Sequence, residues 1–320
     1  MSDSKKSMED LLNKAIEVLE TESNENRPYD DEGKPGGLVL LKQDIPTLIV
    51  PDIHGRSDYL PDLMHYRYKQ ERVYDHLKQG ALQIVCVGDG MHSERRGLAR
   101  WRLALEEYKK GFAECPAMAE EMKENFQTMA MVMRLKASFP KLFHFLKGNH
   151  ENIMDEEVNG NHPFAKLAAE GPMTRSYVER FYGTEFLAQF NRFEKNLPLV
   201  ARGRFFVISH SRPKDYYDIE KIINYRIHPD LIEGLTWTRH NSAKVGIIPQ
   251  MLEKMLGNGG DQQLWFAGHT AIRDLYNLWD EEHLVEIHNP DLRLIVALDP
   301  NERFDPDFHI HILPRSKSDT

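Results

Sequence analysis

Five short apolar runs in this chain each end in a residue able to hold a metal ion. They are Thr47 to Val50 before Asp52 and His54, Ile84 to Val87 before Asp89, Phe143 to Leu146 before Asn149 and His150, Phe205 to Ile208 before His210, and Leu264 to Phe266 before His269. A continuous apolar run is how a strand buried on both faces reads, and open α/β sheets bind their ligands beyond the carboxyl ends of such strands. Five strand ends can therefore converge on one point. Carboxylate and amide oxygens mixed with imidazoles suit manganese, iron or zinc better than magnesium or calcium. Paired ions of this kind are a device for cleaving phosphate esters.

The spacing within each motif supports a shared site. In PDIHG, Asp52 and His54 are two residues apart, so an extended backbone sends both side chains to the same side. Alone, such a pair is more often a surface turn than a ligand set. GDG at 88–90 and GNHE at 148–151 change that balance, because their glycines permit tight turns where backbone must approach a ligand closely. Two ions about 3.5 to 4 Å apart need a shared ligand, and a carboxylate can bridge where an amide or imidazole cannot. Asp89 is that bridge, with Asn149 supplying a neutral oxygen and His210 and His269 imidazoles. His269 by itself would read as a histidine satisfied in a strand-end turn. No thiol lies near any of these motifs, which excludes an iron–sulfur centre or a structural zinc site.

In order and strand context, PDIHG, GDG…RRG, GNHE, ISHSRP and FAGHT resemble the calcineurin-like metallophosphoesterases, and most closely the phosphoprotein phosphatase branch of bacterial type. The resemblance runs from about Pro46 to Pro300 and is most specific around MRLKASFPKLFHFLKGNHE. It implies an α/β fold, a four-layer αββα sandwich of two mixed sheets flanked by helices, with two divalent metal ions, Mn2+ foremost and Fe or Zn as alternatives. Asp52, His54 and Asp89 would hold the first ion; Asp89, Asn149, His210 and His269 would hold the second. The resemblance also implies direct attack on phosphorus by a hydroxide bridging the metals, with His150 as general acid and no phosphoenzyme. FAGHT lacks a second His two residues on, since Ala271 stands there, and this favours phosphatases over many bacterial phosphodiesterases.

Phosphate oxygens call for guanidinium donors, whose planar fork matches them bidentately. Arg239, in LTWTRH, resembles the W-x-R signature of bacterial members and leads the candidates, followed by Arg96, Arg95 and Arg212. The second motif departs from the family's GD-x-x-D-R-G: it reads GDGMHSERRG, three residues longer. Two alignments stand. Either Glu94 replaces the carboxylate that orients His150, with Arg95 or Arg96 at the phosphate, or His92 fills that place. Pro51 stands where Gly is common, and HSRP replaces a histidine followed by two glycines, with all six metal ligands intact.

The elements that must carry these residues read as βαβ units from Leu38 to Gly148, followed by a strand-rich carboxyl third at Leu284–Ile287, Leu292–Leu298 and Phe308–Leu313. Residues 1–37 form an amphipathic helix, with Met8, Leu11, Leu12, Ala15, Ile16 and Leu19 on one stripe, and a polar linker broken by Pro28, Pro35, Gly36 and Gly37 that reads as mobile. Residues 38–315 are the metallophosphoesterase domain, with a helical insert at about 98–128. Two helices split by Pro116 carry Trp101, Leu105, Tyr108 and Phe112, then Met118, Met122, Phe126, Met129 and Met133. Core packing is the main reading of that stripe, and a lid or partner groove the other. His309 and His311 read as a solvated strand face, and His162, His228, His240 and His288 as histidines without partners.

The chain has 320 residues, 41% hydrophobic and 28% charged, with a net charge of −9. That size buries a full core, and the negative charge argues against nucleic acid or a membrane surface as partner. Cys86 and Cys115 cannot build a disulfide framework, and no stretch approaches a membrane span or a signal peptide, so a reducing, cytoplasmic setting is expected. The leading expectation is a metal-dependent phosphatase acting on phosphate monoesters of the phosphoprotein Ser/Thr type. The alternatives are a dinucleoside-polyphosphate or nucleotide phosphohydrolase and, from another class, a catalytically weak metal-binding scaffold for a phosphorylated partner. Oligomeric state is not legible.

Overall fold

Each of the five apolar runs becomes a strand, within one residue at either end of its expected span. The computed structural model describes residues 2–257 and 263–315, so residue 1 of the amino-terminal segment lies outside the described residues. In chain order the strands are β1 (Leu38–Leu40), β2 (Thr47–Val50), β3 (Arg67–Tyr68), β4 (Glu71–Arg72), β5 (Gln83–Cys86), β6 (Phe143–Phe145), β7 (Val200–Arg202), β8 (Phe206–Ser209), β9 (Leu264–Ala267), β10 (Asn277–Trp279), β11 (Leu284–Glu286), β12 (Leu294–Leu298) and β13 (Ile310–Ile312). The helices are α1 (Ser2–Glu20), α2 (Tyr59–His65), α3 (Val73–Gln79), α4 (Leu98–Lys109), α5 (Pro116–Ser138), α6 (Glu170–Phe181), α7 (Thr184–Lys195), α8 (Ile219–Ile223), α9 (Pro229–Thr236), α10 (Ile247–Leu256) and α11 (Pro306–His309).

Two mixed sheets result. One has the order β13-β12-β2-β5-β6 and the other β1-β7-β8-β9-β11-β10, while β3 and β4 form a small separate ribbon. The facing sheets bury Ile49, Val85, Val87 and Val296 from one side against Ala201, Ile208, Phe266 and Val285 from the other. Outside the first sheet, Leu48, Ile84, Cys86 and Phe143 pack under α1 to α7. Outside the second, Val207, Trp265 and Leu284 pack under α9 and α10. This is the four-layer αββα sandwich. Strands buried on both faces favour apolar residues at nearly every position, which is why these runs do not alternate.

Register then aligns the strand ends. Along the parallel centre of the first sheet Val50 lies opposite Cys86, and Cys86 opposite Phe145. In the second, Ser209 lies opposite Ala267, and Ala267 opposite Glu286. The loops leaving both rows therefore start level with one another.

α1 lays Met8, Leu12, Ala15, Ile16 and Leu19 into the core beside α5 and α7. The polar segment after it carries contacts that a mobile linker would not have. Arg27 is fully buried, pairs with Glu22 at 2.9 Å and donates to the carbonyl of Asn196 at 2.7 Å. Trp101, Phe112, Met118, Met122, Met129 and Met133 are buried in the same cluster, so the stripe on α4 and α5 is core packing rather than a lid. The carboxyl-terminal run differs from expectation, since α11 takes in its first two residues, Phe308 and His309, and only Ile310–Ile312 is strand. Asp305 accepts a hydrogen bond from the backbone N–H of Asp307 and Pro306 follows it, a start signal for a helical turn.

Candidate metal centre

The level strand ends bring Asp52, His54, Asp89, Asn149, His150, His210 and His269 to one buried place between the sheets. Asp89 sits at the centre and its two carboxylate oxygens look in different directions. Oδ1 lies 3.5 Å from Nε2 of His210. Oδ2 lies 3.7 Å from Nε2 of His54 and 3.8 Å from Nε2 of His150. On the His210 side the Asn149 amide oxygen is 3.0 Å from His210 Nε2 and 2.9 Å from His269 Nδ1. On the other side Asp52 Oδ2 is 3.9 Å from His54 Nε2. Donor atoms bound to one ion at about 2.0 to 2.2 Å stand no more than about 4.4 Å from each other. Among the described residues, Asp89, His210 and His269 offer donor atoms within 4.8 Å of one another, as do His54, Asp89 and His150, so the two groups share Asp89, and Asp52 joins His54 in a third group with His288.

Hydrogen bonds to main-chain carbonyls fix the rings. His54 Nδ1–H donates to the carbonyl of His92 at 3.0 Å, and His210 Nδ1–H to that of Val87 at 3.1 Å. A carbonyl only accepts, so both rings keep Nε2 unprotonated and aimed inward. Glu151 fastens the two loops together: its carboxylate accepts from the backbone N–H groups of Asp89 at 2.9 Å, Gly90 at 2.8 Å and Gly148 at 2.7 Å. Glycine is required where the loops pass closest. A Cβ on Gly268 would stand 1.9 Å from Asp52 Oδ1, and one on Gly148 would stand 2.2 Å from Asp89 Oδ1. His54, Asp89, His92 and His269 all take positive φ, between 50° and 65°, a concentration of unfavourable backbone that belongs to functional sites.

The site's electrostatics ask for cations. Burial raises the Asp52 carboxyl, and burial together with Asp52 and Glu151 pushes Asp89 well above the usual carboxylate range. Burial also holds His54 and His269 down at about 3 and His210 well below its ordinary value, so these imidazoles are neutral at pH 7, as ligands must be. Among the described residues seven buried side-chain polar atoms lack a hydrogen-bond partner, and four of them, on Asp52, Glu94, His269 and His288, are gathered here. Buried polar atoms without partners are costly. This donor set, two hard carboxylates, an amide and neutral imidazoles, fits a pair of divalent ions.

In the second motif it is His92, not Glu94, that stands beside His150. Its Nδ1 lies 3.0 Å from Nδ1 of His150, and its Nε2 lies 3.1 Å from the Thr174 hydroxyl. Glu94, expected beside His150, instead turns to His54 and His288, at 3.7 Å and 3.3 Å. The reason is the longer loop, which the helical segment shapes. Asn125 of α5 accepts the His92 N–H at 3.0 Å, and Glu121 accepts the Ser93 N–H at 2.8 Å and its hydroxyl at 2.5 Å. With φ of 65° at His92, the chain kinks there and points that ring inward. Phe164 stacks parallel on His92 and lies against His150, with centroids 5.8 Å and 3.6 Å away.

The arginines divide. Arg239 is exposed, and its charge helps depress His269, so it stands near the site. Arg95 is also exposed, at the start of a short turn. Arg96 is held by Glu124 at 2.8 Å and by the carbonyl of His54 at 3.1 Å, bracing the first motif. Arg212, expected at the phosphate, is buried in an ion network with Glu286 at 3.2 Å and Glu282 at 3.1 Å, with its guanidinium over Trp279. Two glutamates so close to a buried guanidinium claim its donors. His240, read as lacking partners, stacks on Trp279 and bonds Arg212 at 2.9 Å.

The residue that sequence reading passes over is His288. It is buried, with Nδ1 3.7 Å from Asp52. A weaker signal was present: Leu284 to Ile287 reads as a strand, broken by the charged Glu286, and His288 follows it directly. Lys166, 3.7 Å from Glu94, is a further cation at the rim that no motif marks.

Solved structures share this architecture. A protein serine/threonine phosphatase from Saccharomyces cerevisiae matches with a TM-score of 0.62 over 98% of this chain and 91% of its own, at 13% identity. A cold-active protein-tyrosine phosphatase of a psychrophilic Shewanella matches with a TM-score of 0.50 over 87% of this chain and 82% of its own, also at 13% identity. No protein-family model matches the sequence, and no curated protein matches it. The fold is therefore the one these two phosphatase structures share.

Proposed function

We propose that this chain is a phosphatase that hydrolyses phosphate monoesters on a phosphorylated protein, using two divalent ions, foremost Mn2+. The observation that carries the reading is the split carboxylate of Asp89, whose two oxygens serve two separate groups of neutral imidazoles. Asp52, His54 and Asp89 would hold one ion and Asp89, Asn149, His210 and His269 the other. Bound there, the ions would supply positive charge for the phosphoryl oxygens and a water of lowered pKa.

The side chains account for the rest. His150, with Nε2 3.8 Å from Asp89, stands beside the place where phosphorus would be held and can hand a proton to the departing oxygen. His92 orients its ring from behind, in the place a carboxylate would otherwise take. Arg239 is the guanidinium best placed to take phosphoryl oxygens, with Arg95 as a second candidate at the rim. Both structural relatives bear the names of protein phosphatases, which supports a phosphorylated side chain as the substrate. Two free cysteines agree with a reducing, cytoplasmic setting.

Turnover of p-nitrophenyl phosphate, phosphopeptides and dinucleoside polyphosphates, each with added Mn2+, tests the reading. Phosphopeptides are expected to be the best substrates. Faster cleavage of dinucleoside polyphosphates would replace this reading with a nucleotide phosphohydrolase, and no turnover with both ions bound would leave a binding scaffold.

A further inference from the structure

We propose that His288 is an additional ligand of the ion on the Asp52 side, binding through Nδ1, and that Glu94 is the positioning residue that holds its ring. The proposal deepens the dinuclear reading and rests on it.

His288 leaves the end of β11 two residues beyond Glu286, in the same relation that His269 bears to Ala267 at the end of the neighbouring β9. Parallel pairing of β9 and β11 therefore puts the two histidines side by side at the edge of the site. The loop after His269 is bonded to it: the N–H of Ile272 donates to the His288 carbonyl at 2.9 Å. Within that loop, the position two beyond His269 is Ala271, which has no donor atom. His288 brings an imidazole to this same neighbourhood from the adjacent strand.

The ring's two nitrogens are in different situations. Nε2 faces Glu94 Oε1 at 3.3 Å, an interaction that requires the proton on Nε2. Nδ1 is buried, has no hydrogen-bond partner, and lies 3.7 Å from Asp52 Oδ2. The other Asp52 oxygen, Oδ1, is also buried without a partner. The centroid of His288 is 5.3 Å from that of His54. Asp52, His54 and His288 each offer a donor atom within 4.8 Å of the other two, close enough that a small shift of side chains would gather them around one ion. A carboxylate on the far nitrogen of a ligating histidine fixes its tautomer and makes it a better donor. Glu94, displaced from His150 by the long second motif, occupies that position. Without His288 the Asp52 side would have two carboxylates and one imidazole. With it, the imidazoles balance between the two ions.

Equilibrium dialysis of the full chain against graded Mn2+, followed by elemental analysis, reads the effect directly. Wild type is expected to hold two ions. His288→Ala should keep one ion at Mn2+ concentrations that give wild type both, and free imidazole should restore the second. Glu94→Gln should weaken one site by roughly 10- to 100-fold and leave the other unchanged. If His288→Ala holds two ions with wild-type affinity, His288 is only the ion-pair partner of Asp52 and Glu94, and the proposal falls while the dinuclear reading stands. A wild-type protein that never holds a second ion overturns both. Circular dichroism of each variant separates lost ligation from lost fold, and imidazole rescue would not follow from a merely structural role.

Discussion

At the residue scale the chemistry depends on one carboxylate doing two things, and substitution can separate its role from that of its neighbour. Asp89→Asn keeps the shape but leaves a single neutral oxygen and an N–H2 where two anionic oxygens stood. Both ions should weaken, with turnover falling by about 10³-fold or more because charge stabilisation and nucleophile activation are lost together. His150 is proposed for a different part: its ring contacts His92 and Phe164, while its Nε2 stands 3.8 Å from Asp89, as near as the Nε2 of His54. His150→Ala should retain both ions and lose roughly 10²- to 10⁴-fold in turnover, the usual span for a general acid. Metal content and steady-state rates measured on the same preparations check both statements. Equal metal loss in the two variants would make His150 a ligand and remove the general acid from the scheme.

At the element scale the site is positioned by what lies one layer away from it. The buried cluster of Glu22, Arg27 and Lys136 ties the segment after α1 to α5, with Lys136 donating to Glu22 at 2.5 Å and Arg27 at 2.9 Å. Burial alone would raise the Glu22 carboxyl, but the Lys136 ammonium and the Arg27 guanidinium outweigh it and hold the group at about 2, against an ordinary 4.5. A depressed carboxylate contributes stability above its unfolded value that is lost as pH falls toward the folded one. The window is thus about pH 4.5 down to about pH 2, and the full amount is about 3 kcal/mol. Denaturant melts at pH 6 and pH 3 should show a smaller acid loss for Glu22→Gln than for wild type; equal losses would mean the cluster contributes nothing to acid sensitivity. The same scale explains what was legible in sequence. Apolar runs ending in metal-binding types announced β2, β5, β6, β8 and β9 because parallel strands buried on both faces are apolar at most positions, with His144 the clearest exception. His288 escaped because it stands alone after its run, with no glycine beside it to mark a tight turn. Glu94 and Arg212 were misplaced because their roles depend on partners distant in sequence, Glu94 on His288 and Arg212 on Glu286, and local spacing carries no information about those. The linker's low apolar content hid Arg27, whose burial is offset by an acid and main-chain carbonyls rather than by hydrophobic neighbours.

At the scale of the whole molecule the proposed ligands divide between the two sheets. Asp52, His54, Asp89 and Asn149 follow β2, β5 and β6 of the first sheet, while His210 and His269 follow β8 and β9 of the second. Bound ions would therefore join two layers that otherwise meet through apolar side chains such as Ile49, Val85, Ile208 and Phe266. Such ligands cannot be assembled in an unfolded chain, because Asp52 and His269 are far apart in sequence, so ion binding favours the folded state by mass action. At a free Mn2+ concentration of about 100 times the dissociation constant the gain is about 2.7 kcal/mol per ion. For a chain of this length, unfolding entropy near the midpoint converts that into a rise of roughly 4 °C per ion. Chelation should accordingly lower the thermal midpoint by several degrees in one cooperative transition, and Mn2+ should restore it. Removing a ligand of one ion, Asp52→Ala from the first sheet or His210→Ala from the second, should abolish about half of the Mn2+-dependent rise. Calorimetry with and without chelator decides it: a midpoint indifferent to Mn2+ in wild type would mean that the ions do not bridge the layers, whatever their part in turnover.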